Sequence, residues 1–374
     1  VSDIRVETVR TRAEFRQFLH FPWKVYKGDP NWVPPLLLDV KEKLNVHKHP
    51  FFEHAERELF LAYRGDDLAG RIVAIIDRYH NEFQKERIAF FGMYESLNDP
   101  AVAGALLDTV GAWGKARGLD TLRGTVNLSL NDECAFLLEG FDSPPVIMMP
   151  YNPRYYLDLM ETCGMVKARD LYAFHFPTGG PTPERAQAIV DHAEATLPVT
   201  CRTINMKQLE AEAERIKSIY NQGWVKNWGF VPWTDLEMKH MVKSLSQLAD
   251  PDIVILAEEK DGTPVGFAFG LPNYNEILLK MNGRLLPFGI FKILLGRKSI
   301  KSLRVPVFGV VPKYQKTGLA FLLFAKIKEN AFRNKYIWAE SSWQLEDNEA
   351  VNRFVLSLGG RLYKKYRIYE RKIL

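Results

Sequence analysis

The sequence predicts an α/β (α+β) fold built twice, as two tandem units that each carry a mixed central sheet flanked by helices. Three observations lead there. Strand-like and helix-like segments are mixed along both halves of the chain. A long β-hairpin recurs at the same place in each half. A Pro- and Gly-rich link, FPTGGPTPE (176–184), separates the halves. The length of 374 residues leaves room for two domains at about 150 residues each. With 47% hydrophobic and 25% charged residues the chain can fill a sizeable core and does not read as disordered.

Taken in order, the first hairpin joins LFLAY (59–63) to RIVAIID (71–77) through the turn Arg64-Gly65-Asp66-Asp67. The strand IAFFGMYES (88–96), the helix AVAGALLDTVGAWGKARG (101–118) and the strand GLDTLRGTV (118–126) follow. An amphipathic segment then opens at Asn152 and stops at Gly164. The second half repeats the series. IVILAEE (253–259) and VGFAFGL (265–271) flank Lys260-Asp261-Gly262-Thr263, and RVPVFGVV (304–311), LAFLLFAKIKENAFRNK (319–335) and NKYIWAESS (334–342) come next. NEAVNRFVLSLGG (348–360) closes the series, with its stop at Gly359. Gly70 and Gly266 lie 196 positions apart, as do Asn152 and Asn348, whereas the strands starting at 118 and 334 lie 216 apart. An insertion of about 20 residues near 280–303, compensated near 131–150, accounts for the difference. The units are therefore expected at 1–178 and 179–374, with the second carrying an insertion near 276–302.

A net charge of +5 suits an anionic ligand or an anionic membrane surface and is too small to argue for nucleic acid. Cys134, Cys163 and Cys201 form no CxxC pair, so neither a disulfide framework nor a thiolate zinc site is expected. His47, His49 and His54 crowd around Glu53, but Pro50 breaks any helix there and no metal is expected. The charged N-terminus does not read as a signal peptide, and no apolar run reaches the ~18–20 residues of a membrane span. The cytoplasm is the expected compartment.

The informative stretch is VPVFGVVPKYQKTGLAFLLFAKI (305–327). A buried strand ends at Val311, Pro312 interrupts the chain, and Gln315-Lys316-Thr317-Gly318-Leu319-Ala320 leads into an amphipathic helix. A strand, a short polar turn and a helix N-terminus make an anion site, because first-turn N–H groups lack intrahelical partners and the helix dipole favours negative charge. Gly318 and Ala320 are small enough for a diphosphate to approach the backbone, and Lys316 adds a positive charge. Neither a P-loop string nor GxGxxG occurs.

These residues resemble the Q/R-x-x-G-x-G/A signature of the GNAT (N-acetyltransferase-like) superfamily, and 348–360 is similar to that family's last helix. The likeness implies that acetyl-CoA or a longer acyl-CoA is the co-substrate. Its diphosphate would lie on Gln315, Lys316, Thr317, Gly318, Leu319 and Ala320. Its pantetheine arm would run along Phe308, Val310 and Val311, with Asn348 nearby. The first half has lost this site: at an offset of 216, Asp99 falls opposite Gln315 and Val102 opposite Gly318. The family's tyrosine on the last helix, which serves the leaving thiol, falls at Val355. Tyr314, Tyr363 and Tyr366 are the substitutes to consider, Tyr314 first, and each also reads as a packing tyrosine. Glu340 is the candidate base, against its alternative as an ion-paired glutamate. Asn273, Tyr274, Asn275 and Glu276 are expected near the acceptor. The aromatic stretch Trp224–Asp235 is either a wall of the acceptor site or plain core.

The insert 276–302 mixes apolar residues with Lys280, Arg284, Lys292, Arg297, Lys298 and Lys301 and has no acid after Glu276. It reads equally as an interfacial or acyl-chain-covering element and as a cap between the units. The stretch 131–165 and the tandem layout resemble the YghO-like group, which is grouped with bacterial ceramide synthases. That likeness implies N-acylation of a lipid-like amine, with peripheral contact at the inner membrane surface through 276–302. The alternatives are an N-acetyltransferase acting on a small polar amine or peptide, and a non-catalytic acyl-CoA-binding protein.

Overall fold

In the computed structural model, residues 4–224, 227–285 and 289–373 are described. Val225–Lys226 of the aromatic stretch and Leu286–Phe288 of the insert lie outside them. The principal strands and helices, labelled along the chain, are β1 (Ile4–Thr8), β2 (Ala55–Arg64), β3 (Asp67–Asp77), β4 (Ile88–Ser96), α1 (Pro100–Lys115), β5 (Thr121–Gly124) and β6 (Val166–Pro177). They continue as α2 (Glu184–Thr196), β7 (Val199–Thr203), α3 (Leu209–Gly223), α4 (Asp235–Ser246), β8 (Val254–Glu259), β9 (Pro264–Pro272), α5 (Gly289–Gly296) and β10 (Ser302–Val310). The last are α6 (Leu319–Arg333), β11 (Trp338–Leu345), α7 (Glu349–Ser357) and β12 (Arg361–Lys372).

Both units build their sheet by one rule. In the first, β1, β2, β3 and β4 pair antiparallel in that order, β4 pairs parallel with β5, and β5 pairs antiparallel with β12. In the second, β7, β8, β9 and β10 pair antiparallel, β10 pairs parallel with β11, and β6 lies next to β11. The parallel step follows from the crossover helix, α1 in one unit and α6 in the other, since parallel neighbours cannot be joined by a tight turn. α1 buries Val102, Leu106, Leu107 and Val110 against the first sheet, and α6 buries Leu319, Leu322, Leu323 and Ile327 in the second unit.

The contacts divide the chain differently from a single cut at 178/179. The first compact unit comprises Val1–Leu171, Ile277–Leu294 and Lys364–Leu374, and the second Tyr172–Glu276 and Leu295–Tyr363. Each half of the chain thus supplies its last strand to the other unit. β12 completes the first sheet, with Tyr369 opposite Gly124 and Lys372 opposite Thr121. Most of the insert also belongs with the first unit. Trp23 Nε1 donates to Asn282 Oδ1 at 2.6 Å, and the Leu37 amide donates to the Gly283 carbonyl at 3.2 Å. Local periodicity carries no information about such distant partners.

The β12 strand is held by a buried lysine. Lys364 is 1% exposed, and its amine donates to the carbonyls of Gly140 and Ser143. Replacing it leaves two partly buried carbonyls without that donor. Lys364→Ala is expected to cost about 2–4 kcal/mol, read as a lowered midpoint in urea unfolding followed by circular dichroism.

Candidate functional site

The site begins where two strands part. β10 pairs with β11 from Ser302 opposite Trp338 to Val305 opposite Ser341, and the ladder stops there. On its other side β10 stays paired with β9 as far as Val310 opposite Gly266. Two local features cause the divergence. Pro306 follows the last pair and has no N–H to give to a ladder. The β9 register also shifts between Phe269 and Leu271, opposite Arg304–Val307, and such a bulge increases strand twist. The strands then leave a gap that opens into a cavity of about 1270 Å³ within the second unit.

One end of this cavity is the turn into α6. Its lining includes Gln315, Lys316, Thr317, Gly318 and Ala320. α6 starts on Gly318 with φ +88° and without a side-chain cap, so its first-turn amides have no intrahelical acceptor. Glycine is needed here for its backbone angle and for the close approach of α2. A Cβ would stand 3.1 Å from Ile189 and 3.2 Å from Ala193. The small residue thus serves α2 packing as well as any approach from the cavity.

The opposite wall is α7, which contributes Asn348, Val351, Phe354 and Val355. The Asn348 side chain accepts from the Val351 amide at 3.3 Å and so works as a helix cap at the cavity's edge. Phe354 packs against Phe308 and Phe321, at ring separations of 5.8 and 4.9 Å. On the side of α3, Trp224 lines the cavity and lies over Gly309, where any Cβ would sit 2.4 Å from its ring. Trp224 in turn stacks on Tyr220, which also stacks on Trp233. The aromatic stretch is therefore both packed core and cavity wall.

Of the residues expected to hold a cofactor, Phe308, Val310, Gln315, Lys316, Thr317, Gly318, Ala320 and Asn348 line the cavity. Val311 and Leu319 do not. The Val311 amide donates to the Val265 carbonyl at 3.0 Å, and Leu319, the first residue of α6, is fully buried. The two catalytic candidates also lie off this cavity's wall. The Tyr314 hydroxyl donates to Glu259 Oε1 at 2.8 Å, and burial together with that carboxylate raises its pKa, making it a poorer proton donor. Glu340 is 0% exposed, stands opposite Arg304 in the ladder and accepts a hydrogen bond from Tyr363. Its neighbours Ala339 and Ser341 line the cavity on the other strand face, and from Ser341 to Leu345 every residue lines it, so the strict alternation ends where the ladder does. Ser342 and Trp343 share the segment of Glu340 in the sequence, whereas Arg304 and Ser341 carry no such signal; Arg304, Ser341 and Ser342 mark the end of the ladder. Arg304 Nε donates to Ser342 Oγ at 2.9 Å, and Gln344 Nε2 donates to Ser341 Oγ at 2.6 Å. Among the described residues no group of three His, Cys, Asp or Glu could hold a metal ion.

The first unit treats the same positions differently. After Phe91 opposite Gly124, the chain stays close to β4: the Met93 amide donates to Asn127 Oδ1 at 2.8 Å, and the Val126 carbonyl fills the place of a Cβ on Gly92. The gap is closed by backbone. The start of α1 is closed as well. Asp99 caps it, accepting from the Ala101 and Val102 amides, and Arg64 Nε donates to the same carboxylate at 2.7 Å. Counted from the helix starts, Asp99 corresponds to Gly318, three residues from the expected match of Val102. Asp99→Ala should cost about 1 kcal/mol through the lost cap. Gly318→Ala should cost roughly 1–2 kcal/mol through its left-handed backbone angle. Urea unfolding of the two variants checks both values.

The chain is 37% identical to a bacterial ceramide synthase from Caulobacter vibrioides, over 100% of this chain and 98% of that protein. It is 35% identical to the protein YghO from Escherichia coli, over 98% of this chain and 95% of that one. Among solved structures, a tandem GNAT protein from the clavulanic acid biosynthesis pathway, determined without acetyl-CoA, superposes with a TM-score of 0.58. That match covers 100% of this chain and 99% of the other at 11% identity, and shows a shared tandem GNAT fold. No family profile matches the sequence. The full-length identities, on a tandem GNAT fold with one open and one closed strand gap, place the chain in the family of the bacterial ceramide synthase and YghO.

Proposed function

We propose that this protein is an acyl-CoA-dependent N-acyltransferase that passes a long acyl chain from the CoA thioester to a lipid-like amine. The observation that carries the reading is the β10–β11 gap that leads directly to an uncapped helix start. Backbone amides of Gly318, Leu319 and Ala320 would take the diphosphate, with the Lys316 charge beside them, while the Thr317 amide donates to the Tyr314 carbonyl at 3.2 Å. The edge of β10 from Phe308 to Val310, unpaired on the β11 side, would run along the pantetheine arm. Asn348 would hold the start of α7 beside it. Val311 and Leu319 would support the turn from behind. Glu340 and Tyr314 are assigned to packing in this scheme, through Tyr363 and Glu259.

Two further observations favour a long acyl group over acetyl. The cavity is larger than the ~300–1,000 Å³ common for small-ligand sites. Its inner wall, with Leu303, Ala339, Phe176, Phe324, Val355 and Leu358, is apolar. The relative named for ceramide synthesis points to the acceptor, because ceramides are amides of a fatty acid and a long-chain amino alcohol. Both substrates would then be amphiphiles drawn from a membrane.

The insert suits that supply. No helix among the described residues is long and apolar enough to cross a membrane. α5 exposes Phe291 (58%), Leu294 (67%) and Leu295 (80%), with Lys292, Arg297 and Lys298 close by in sequence. No acid occurs between Glu276 and Glu329. An apolar helix face beside cations fits the interface of an anionic bilayer.

Palmitoyl-CoA is expected to raise the melting temperature, since ligand at 100 times its Kd adds ~2.7 kcal/mol of stability. Acetyl-CoA at the same concentration should do less, and Gly318→Glu should abolish both shifts. An equal shift with Gly318→Glu would remove the helix start from the site. In sedimentation with vesicles, the protein should pellet with phosphatidylglycerol and not with phosphatidylcholine alone. The double variant Phe291→Ser, Leu294→Ser should stay in the supernatant.

A further inference from the structure

The leaving sulfur of the proposed reaction needs a hydrogen-bond donor, and the tyrosine position of the last helix holds Val355, a buried residue on the cavity wall. The search for that donor rests on the acyl-CoA reading above. From Val310, beside the diphosphate turn, to Val305, at the end of the ladder, β10 spans about 16 Å at ~3.3 Å per residue. An extended pantetheine arm has about that reach. A diphosphate on the α6 amides therefore brings the sulfur to Val305 and Ser341, where the strands part.

Ser342 is the next residue. It lines the cavity and is 2% exposed. Arg304 Nε donates to its Oγ at 2.9 Å, and Arg304 Nη2 donates to its carbonyl at 3.3 Å. A guanidinium has no acceptor, so the serine proton cannot return along that bond and is left to point elsewhere. Glu340 stands opposite Arg304 in the ladder. Arg304 therefore works through its directed N–H more than through net charge. Ser341 is the rival donor, but its Oγ accepts from the neutral amide of Gln344 at 2.6 Å and the residue is only partly buried. The bond from a guanidinium is the stronger polarising one.

We propose that Ser342 is the catalytic residue that hydrogen-bonds the departing thiolate, with Arg304 as the positioning residue that orients its hydroxyl. The amine nitrogen attacks the thioester carbonyl, the C–N bond forms, and the amine proton passes to water. The C–S bond breaks with its electron pair on sulfur. The thiolate leaves on the Ser342 hydroxyl and takes its proton from solvent. Serine does not surrender its own proton, because an alcohol is a far weaker acid than a thiol of pKa about 8.5.

The test compares wild type, Ser342→Ala, Ser342→Thr and Ser341→Ala, with palmitoyl-CoA and sphinganine as substrates and released thiol as the signal. Ser342→Ala should lower kcat about 100-fold, the usual scale for one lost transition-state donor. Its KM for palmitoyl-CoA should stay within about twofold. Ser342→Thr should recover most of the rate, and Ser341→Ala, which removes the rival hydroxyl from the cavity wall, should lose less than about tenfold. Calorimetry with CoA and desulfo-CoA supplies a readout that packing alone does not move. A donor to sulfur lowers the thiol pKa in the complex, so CoA should gain affinity over desulfo-CoA as pH rises in wild type and not in Ser342→Ala. Full activity in Ser342→Ala, equal loss of desulfo-CoA affinity, or a larger rate loss in Ser341→Ala than in Ser342→Ala would each overturn the assignment. If wild type binds neither CoA nor palmitoyl-CoA, the acyl-CoA reading falls and takes this one with it. Binding and transfer that ignore Ser342 sink this one alone.

Discussion

The second unit depends on a hydrogen-bond ladder that ends after Val305 and Ser341. Up to that pair, β10 and β11 are ordinary parallel neighbours. Beyond it, Pro306 cannot donate and the bulge opposite Phe269–Leu271 turns β10 away. An opened sheet exposes backbone groups, and exposed backbone must find partners. Along β10 from Pro306 to Val310 the groups on one side are satisfied by β9. On the other side no strand pairs with these residues, and the Val310 carbonyl accepts from Gln315 Nε2 at 3.5 Å. The cavity, the aromatic wall on Trp224 and the position of Ser342 all follow from where that ladder stops.

The two units show how little sequence separates an open site from a closed one. Both run antiparallel strands into one parallel pair and a crossover helix. In one, Asp99 and Arg64 satisfy the helix start and the Val126 carbonyl lies against Gly92. In the other, Gly318 leaves the helix start bare and Pro306 opens the strands. A carboxylate at the cap supplies from within the chain the negative charge that the other unit leaves for something else.

Much of this was legible in advance. The hairpins, the strand 88–96 and the helices at 101–118 and 319–335 are local patterns, and they form within a few residues of the expected bounds. The turn proposed to hold the diphosphate was legible for the same reason, since strand, Pro312, Gly318 and helix are consecutive. Side-chain direction was less so: Val311 follows Val310 by one residue and so faces away from it. The catalytic guesses failed to reach the cavity because Glu340 sits on the other strand face from Ala339 and Ser341, while Tyr314 turns to Glu259. Pro306, in VPVFG, was the available signal for the strand divergence, because proline inside a strand marks an edge or a bulge. The partners of 277–294 and of Lys364–Leu374 were not legible. They lie hundreds of residues away along the chain or depend on surfaces made only after folding.

The exchange of terminal strands has a bearing on synthesis. The sheet of the first unit lacks β12 until residues 361–372 have left the ribosome. During translation β5 therefore presents an unpaired edge next to an apolar core, the arrangement that invites wrong strand pairing. A nascent chain of this design gains from a chaperone while its second half is made. Premature termination before residue 361 would harm the half of the protein that was translated first.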